Sequence, residues 1–223
     1  MKTLCVFDLD GTLLNTLADL ATACNLALRQ LGLPEHHEDA YRFFIGKGKR
    51  ALIETIVPPG SPLALVDDCT ARFAEHYQKC WCEKTRPYPG VENLLRRLLK
   101  AGVDVAILSN KPHDFTLLCV RHFFPELNFL RVFGLRDGRP RKPDPASSLE
   151  LMAIAGRKPE DCFFIGDSAI DMATGANAGM KTIGVTWGFR GVDGLKGSPA
   201  DHLVTSADDI YRLVIEGTGC EQD

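Results

Sequence analysis

VENLLRRLLKAGVDVAILSN, residues 91–110, changes its period halfway along. Val91, Leu94, Leu95, Leu98 and Leu99 recur at steps of three and four, which predicts one apolar face of a helix. Gly102 stands where such a helix ends, and VDVAIL then runs for the length of a buried strand. Strands joined this way lie parallel, because a parallel pair needs a crossover and a helix supplies it. Downstream the unit recurs: a helix over 112–123, a short strand near 130–133, a helix from 145 to 155 and the strand CFFIG. A small-residue helix around 171–178, the strand KTIGVT, a strand-like HLV and a helix opened by Ser206 with Asp209 three residues on complete the series. Upstream, RPYPG at 86–90 marks a boundary.

Before that boundary the pattern is helical throughout. Leu17, Leu20, Ala21, Cys24, Leu28 and Leu31 share one face, as do Val66, Cys69, Phe73, Tyr77 and Cys80. Only Thr3 to Phe7, at the start, reads as another strand. The expected fold is therefore α/β, a doubly wound parallel sheet with a Rossmann-like core of residues 1–15 and 85–223. An all-helical unit, residues 16–84, is inserted into it.

With 223 residues, 45% of them hydrophobic and 25% charged, the chain has the composition of a globular protein with a medium core and a smaller appended unit. A net charge of −3 argues against nucleic acid, whose binders carry a basic excess. The eight cysteines lack paired CxxC spacing, so they read as reduced thiols; Cys80 and Cys82 flank Trp81 but have no second half for a zinc site. The first apolar stretch, Leu4 to Phe7, is strand length, and neither a leader nor a membrane span is expected. The expectation is a cytoplasmic monomer or homodimer that binds no membrane.

In a doubly wound sheet, ligands bind beyond the carboxyl ends of the strands. There the sequence places Asp8-Leu9-Asp10-Gly11-Thr12, then Ser109-Asn110-Lys111, then Gly166-Asp167-Ser168 with Asp171 four beyond Asp167. Lys142, in RKPDP, lies in a loop able to reach them. Taken singly, each has a plain structural reading: Asp-Gly as a turn, Ser-Asn as a cap, the lysine in solvent, GDSAID as a helix start. Together they put complementary groups on one sheet edge. A calcium loop counted from Asp8 would need Gly and Glu where Leu13 and Asp19 stand. No GxGxxG follows the first strand, and no Walker loop is present. Carboxylates without His or Cys suit a hard cation such as Mg²⁺ that also binds a phosphate oxygen. Beside such an ion Asp8 stays ionised as a nucleophile, while Asp10, two residues on and so on the same face, carries a proton.

DLDGT, Ser109-Asn110, Lys142 in KPDP and GDSAID, in that order and over essentially the whole chain, resemble the four motifs of the haloacid dehalogenase-like phosphohydrolase superfamily. The helical insertion is similar to the α-helical cap of the subgroup that contains phosphoglycolate phosphatases, and TWGFR at 186–190 and SNKP are similar to stretches in those enzymes. The resemblance implies that Asp8 attacks phosphorus to form an aspartyl-phosphate and that Asp10 serves as general acid and base. Asp8, Asp167 and the backbone carbonyl of Asp10 would hold Mg²⁺. Ser109 and its neighbour Asn110 would cradle the phosphoryl group, Lys142 would offset charge, Thr12 would lie by the substrate and help position Asp10, and Asp171 would orient the site or bind a metal-held water.

In the insertion, FFIGKGKR at 43–50 sets two glycines and three cations before a helix, so Lys47 and Arg50 are candidates to meet an anionic group on the substrate, with a solvated basic loop as the alternative. Asn15-Thr16 stands where many such enzymes carry Asp-Ser. The implied function is a Mg²⁺-dependent phosphomonoesterase of small metabolites, phosphoglycolate foremost. The alternatives are a β-phosphoglucomutase-like phosphosugar mutase, or a phosphosugar or pyrophosphate phosphatase. Asp10 separates the chain from the dehalogenases of the superfamily. A Schiff-base lysine, as in the phosphonatases, needs desolvation, whereas Lys47 and Lys49 lie in a polar stretch. A catalytically silent binding protein on this fold would have lost one of Asp8, Asp10, Lys142 or Asp167, and all four are present.

Overall fold

The computed structural model describes residues 3–216. In chain order the elements are β1 (Leu4–Phe7), β2 (Leu14–Asn15), α1 (Leu17–Gln30), α2 (Tyr41–Phe44), α3 (Lys49–Ile56), α4 (Leu63–Cys80) and β3 (Arg86–Pro87). Then follow α5 (Val91–Lys100), β4 (Asp104–Pro112), α6 (His113–Phe123), β5 (Arg131–Leu135), α7 (Ala146–Ala155), β6 (Cys162–Gly166), α8 (Ala169–Asn177), β7 (Lys181–Val185), β8 (His202–Val204) and α9 (Ala207–Glu216). Six strands form one parallel sheet in the order β5-β4-β1-β6-β7-β8. From β1 the chain winds out through β4 and β5 and then returns to β6 on the other side. The winding thus reverses at β1, where a doubly wound sheet opens a crevice.

The two-residue period of the strands divides the core. Cys5, Phe7, Val105, Ile107, Phe163 and Ile165 point to one face, where they pack with Leu94, Leu95 and Leu98 of α5, Val120 of α6 and Ile210 of α9. Leu4, Val6, Ala106, Leu108, Cys162 and Phe164 point to the other and meet Leu151 and Met152 of α7. Both faces are covered, which is why the strands read as continuous apolar runs rather than alternating ones.

One strand differs from expectation. β4 does not stop at Leu108 but runs on to Pro112 with a bulge: Leu108 and Pro112, four residues apart, pair with Phe133 and Leu135, two apart. The surplus falls on Ser109, Asn110 and Lys111, and an irregular ladder is what lets a strand re-aim its side chains.

Helices α1 to α4 have a separate core around Cys24, Leu28, Tyr41, Ile53 and Phe73. The two connections to the sheet, β2 and β3, pair antiparallel, Leu14 with Pro87 and Asn15 with Arg86. Asp19, in the first turn of α1, is buried and locks them. Its carboxylate accepts from the Lys84 N–H (2.9 Å), the Thr85 N–H (2.8 Å) and the Thr85 hydroxyl (2.7 Å). Six cysteines, at 5, 24, 69, 80, 119 and 162, are buried free thiols and Cys82 is partly exposed; Cys220 lies outside the described residues. No helix among the described residues is long and apolar enough to cross a membrane.

Candidate active site

Asp8 leaves the end of β1 at the winding reversal, with its N–H held by the Ile165 carbonyl of β6 (2.9 Å). Asp167 follows β6, and Lys142 comes from the loop before α7. The Lys142 ammonium bridges Asp8 Oδ1 (2.8 Å) and Asp171 Oδ1 (2.6 Å), while the other oxygen of Asp171 accepts from the Ser168 N–H and hydroxyl at the start of α8. Asp171 therefore caps its own helix and shares the lysine with Asp8.

Asp8, Asp167 and Asp171 are all buried, and each brings an oxygen within 4.8 Å of the others. Burial raises Asp8 to about 7; Lys142 pulls it down, and Asp171 and Asp10 push it up. Burial, with Asp171 and Asp8 beside it, likewise holds Asp167 well above the usual carboxylate range, against the Phe189 N–H and Lys142. Three acids facing one ammonium leave an excess of negative charge. An all-oxygen, buried, acidic cluster of this kind fits a hard divalent cation.

Backbone glycines make room for Asp167. A Cβ on Gly11, whose φ is +90°, would lie 2.4 Å from Asp167 Oδ2, and one on Gly188 would lie 2.2 Å from the Asp167 Cβ. Asp167 therefore sits in a slot between two glycines, and the Phe189 N–H donates to its Oδ2 (3.1 Å).

Asp10 occupies the turn after β1 and has partners that the sequence did not disclose. Its Oδ1 accepts from the Thr16 hydroxyl (2.9 Å), and both its oxygens accept from the Lys111 ammonium (3.1 and 3.2 Å). Lys111 also donates to the Tyr77 hydroxyl of α4 (2.8 Å). Burial pulls the Lys111 ammonium down, but Asp10 and Tyr77 outweigh it and the net direction is up.

The structure redistributes several expected roles. Thr12 is buried with its hydroxyl unpartnered and meets neither Asp10 nor the cavity below; Thr16 holds Asp10 in its place. The Asn110 amide is occupied by its own protein, accepting from the Lys142 N–H (2.9 Å) and donating to the Gly46 (3.0 Å) and Lys142 (3.2 Å) carbonyls. Its side chain thus braces the Lys142 loop against Gly46, and it lines that cavity beside Ser109. Arg50 turns to Glu54 and Asp67 on the surface of the insert, and the Lys47 carbonyl is held by Arg141, so of the three loop cations it is Lys49 that lines the cavity. Asn15, in the β2 connection, accepts at its Oδ1 from the Leu17 N–H (3.4 Å), a contact an Asp would also make.

The cavity, of about 70 Å³, lies between sheet edge and insert. Asp8, Asp10, Ser109, Lys111 and Lys142 line it below; Ile45, Leu52, Phe73 and Tyr77 close it above. Core side chains fasten the rim. Arg190 donates to the Arg42 (2.8 Å), Phe43 (3.1 Å) and Ile45 (3.0 Å) carbonyls, and Arg141 to that of Lys47 (3.0 Å).

A carboxylate at the winding reversal, a lysine bridging it to a second acid and a third acid beside them form a centre able to offer a nucleophilic carboxylate beside a divalent cation. The chain matches haloacid dehalogenase-like hydrolases over residues 5–185 and belongs to that family. It is similar to the phosphoglycolate phosphatase of Pseudomonas putida, 37% identical over 84% of this chain and 70% of that protein. With that of Aquifex aeolicus it shares 32% identity over 94% of this chain and 95% of the other. The crystal structure of a predicted phosphoglycolate phosphatase from Haemophilus somnus superposes with a TM-score of 0.87 at 27% identity, covering 95% of this chain and 97% of that one.

Proposed function

We propose that this protein is a magnesium-dependent phosphatase of small phosphate monoesters, with phosphoglycolate as the leading substrate. The observation that carries the reading is the Asp8–Lys142–Asp171 bridge opening into the same cavity as Asp10. Among the described residues, 16–84 form a cap over a core of 3–15 and 85–216. The relatives named above supply the substrate, and the small cavity suits a leaving group of a few carbons.

Asp8, Asp167 and the Asp10 carbonyl would hold the Mg²⁺, which when bound offsets charge on the carboxylates and on the phosphoryl oxygens. Asp8 attacks phosphorus, forming an acyl phosphate as the ester P–O bond breaks, and Asp10 gives its proton to the departing alkoxide. Water then attacks the phosphorus, returns a proton to Asp10 and frees Asp8 and inorganic phosphate. Lys142 offsets charge on Asp8 and on the oxygens in transfer, and Ser109 with nearby N–H groups orients them. Asp171 holds Lys142 in place.

The test is phosphate release from a panel of phosphorylated metabolites, with Mg²⁺ and with EDTA. Phosphoglycolate turnover that EDTA abolishes, and that Asp8→Asn abolishes while the variant still melts cooperatively, is expected. Turnover indifferent to EDTA would remove the ion, a preference for phosphosugars would remove phosphoglycolate, and an active Asp8→Asn would remove the nucleophile.

A further inference from the structure

Lys111 is buried, yet no part of the chemistry above requires it. An ammonium taken out of water is costly even when paired, so a buried ion pair is weak evidence of stabilisation and asks for another role. Its contacts indicate one. The ammonium spans two units of the fold: on one side both carboxylate oxygens of Asp10, on the other the hydroxyl of Tyr77. Tyr77 belongs to α4 of the helical insert. Its ring stacks on Phe73 of the same helix (5.4 Å between centroids, 12° between planes) and lies against Phe115 of α6, in the core (5.1 Å). The ring is thus held by both units, and its hydroxyl reaches Lys111 across the junction of insert and core.

We propose that Tyr77, acting through Lys111, positions Asp10, so that the acid-base carboxylate is set when the insert lies over the sheet edge. The proposal rests on the phosphatase reading. Thr16 holds Oδ1 from the hinge, and Lys111 is the only side-chain donor given to Oδ2 among the described residues. Without the Tyr77 hydroxyl, Lys111 loses its fixed third acceptor and the carboxylate loses its orientation. The reacting carboxylate would then depend on the cap for its geometry as well as for the exclusion of water.

A substrate comparison separates positioning of the proton donor from general damage. Phosphoglycolate leaves as an alkoxide that needs a proton; acetyl phosphate, of similar size, leaves as acetate and does not. Tyr77→Phe keeps the ring stack and removes one oxygen. In single-turnover release of the leaving group, Tyr77→Phe is expected to slow glycolate release roughly tenfold, a fraction of the ~10²–10⁴ that a positioned acid contributes. Acetate release should stay within about twofold of wild type and phosphoglycolate affinity within about threefold, a pattern of lost orientation rather than lost binding. Lys111→Met should show the same selectivity more strongly.

Equal slowing of both substrates, weaker binding with an unchanged rate, or a Tyr77→Phe variant indistinguishable from wild type would each overturn the proposal. If wild type ignores phosphoglycolate but cleaves another alkyl phosphate, the substrate assignment fails and the comparison is made with that ester. If wild type cleaves no phosphate ester, the phosphatase reading itself falls.

Discussion

At the scale of single residues, the Asp167 slot makes the sharpest demand. Gly11 follows Asp10 and has a φ of +90°, where a side chain costs about 1–2 kcal/mol before any contact is counted. Its Cβ would also press into the Asp167 carboxylate. Gly11→Ala is therefore expected to lower the melting temperature and to weaken Mg²⁺ binding about tenfold or more, the scale of disturbances around a ligating carboxylate. Calorimetric titration with Mg²⁺ reads this directly; an unchanged affinity would mean that Asp167 is not a ligand. The same residue shows what was legible in advance. DLDGT stands out for its carboxylates and its glycine reads as a turn former, because nothing in a linear string says that residue 167 will lie against residue 11.

Among elements, the hinge has the largest consequence for its size. β2 and β3 have two residues each, too few to hold an insert by backbone pairing alone. Asp19 supplies the rest from the first turn of α1 by accepting from Lys84 and Thr85. Asp19→Ala would leave the buried Thr85 N–H and hydroxyl and the partly buried Lys84 N–H without their acceptor and is expected to destabilise the fold by about 3 kcal/mol, measured by urea unfolding. Asp19→Asn, which keeps one oxygen, should lose less; equal losses would argue that packing and not hydrogen bonding sets the cost.

Helices and strands were readable here because their apolar periods are local, and so were the chain positions where helical and alternating patterns meet. The contact that ties the two connections together was not readable. Asp19 looks like any acid in a first helical turn, and its partners lie more than sixty residues away. Tyr77 presented a similar limit: its spacing places it on the buried face of α4, but periodicity does not say whether a buried hydroxyl faces a neighbouring helix or a catalytic lysine. Lys111 left a fainter trace, standing two residues after Ser109 in an extended stretch and so on the same side. The bulge in β4 that aims these residues depends on pairing with β5, which local sequence does not record.

Across the whole molecule, the acidic cluster should couple folding to pH. In the metal-free protein Asp8 titrates near 7, because burial outweighs the pull of Lys142. In the unfolded chain an aspartate titrates at about 3.9. Between those values the native state holds a proton that the unfolded state has released, so unfolding releases protons and stability falls as pH rises. The contribution is fully present below about 4 and is lost by the time pH has passed about 7. Asp167, also raised, adds a slope of the same sign. Asp8→Asn cannot ionise. In EDTA it should therefore match wild type most closely near pH 4.5 and gain on it steadily up to pH 7.5, as urea unfolding at several pH values would record. Saturating Mg²⁺ at pH 7.5 should reverse the order, because wild type then uses the charge that destabilised it while the variant has lost a ligand. A constant difference between the two proteins across pH would show that Asp8 is ionised throughout, with Lys142 alone sufficient to neutralise it, and the case for a cation from this cluster would then rest on donor chemistry alone.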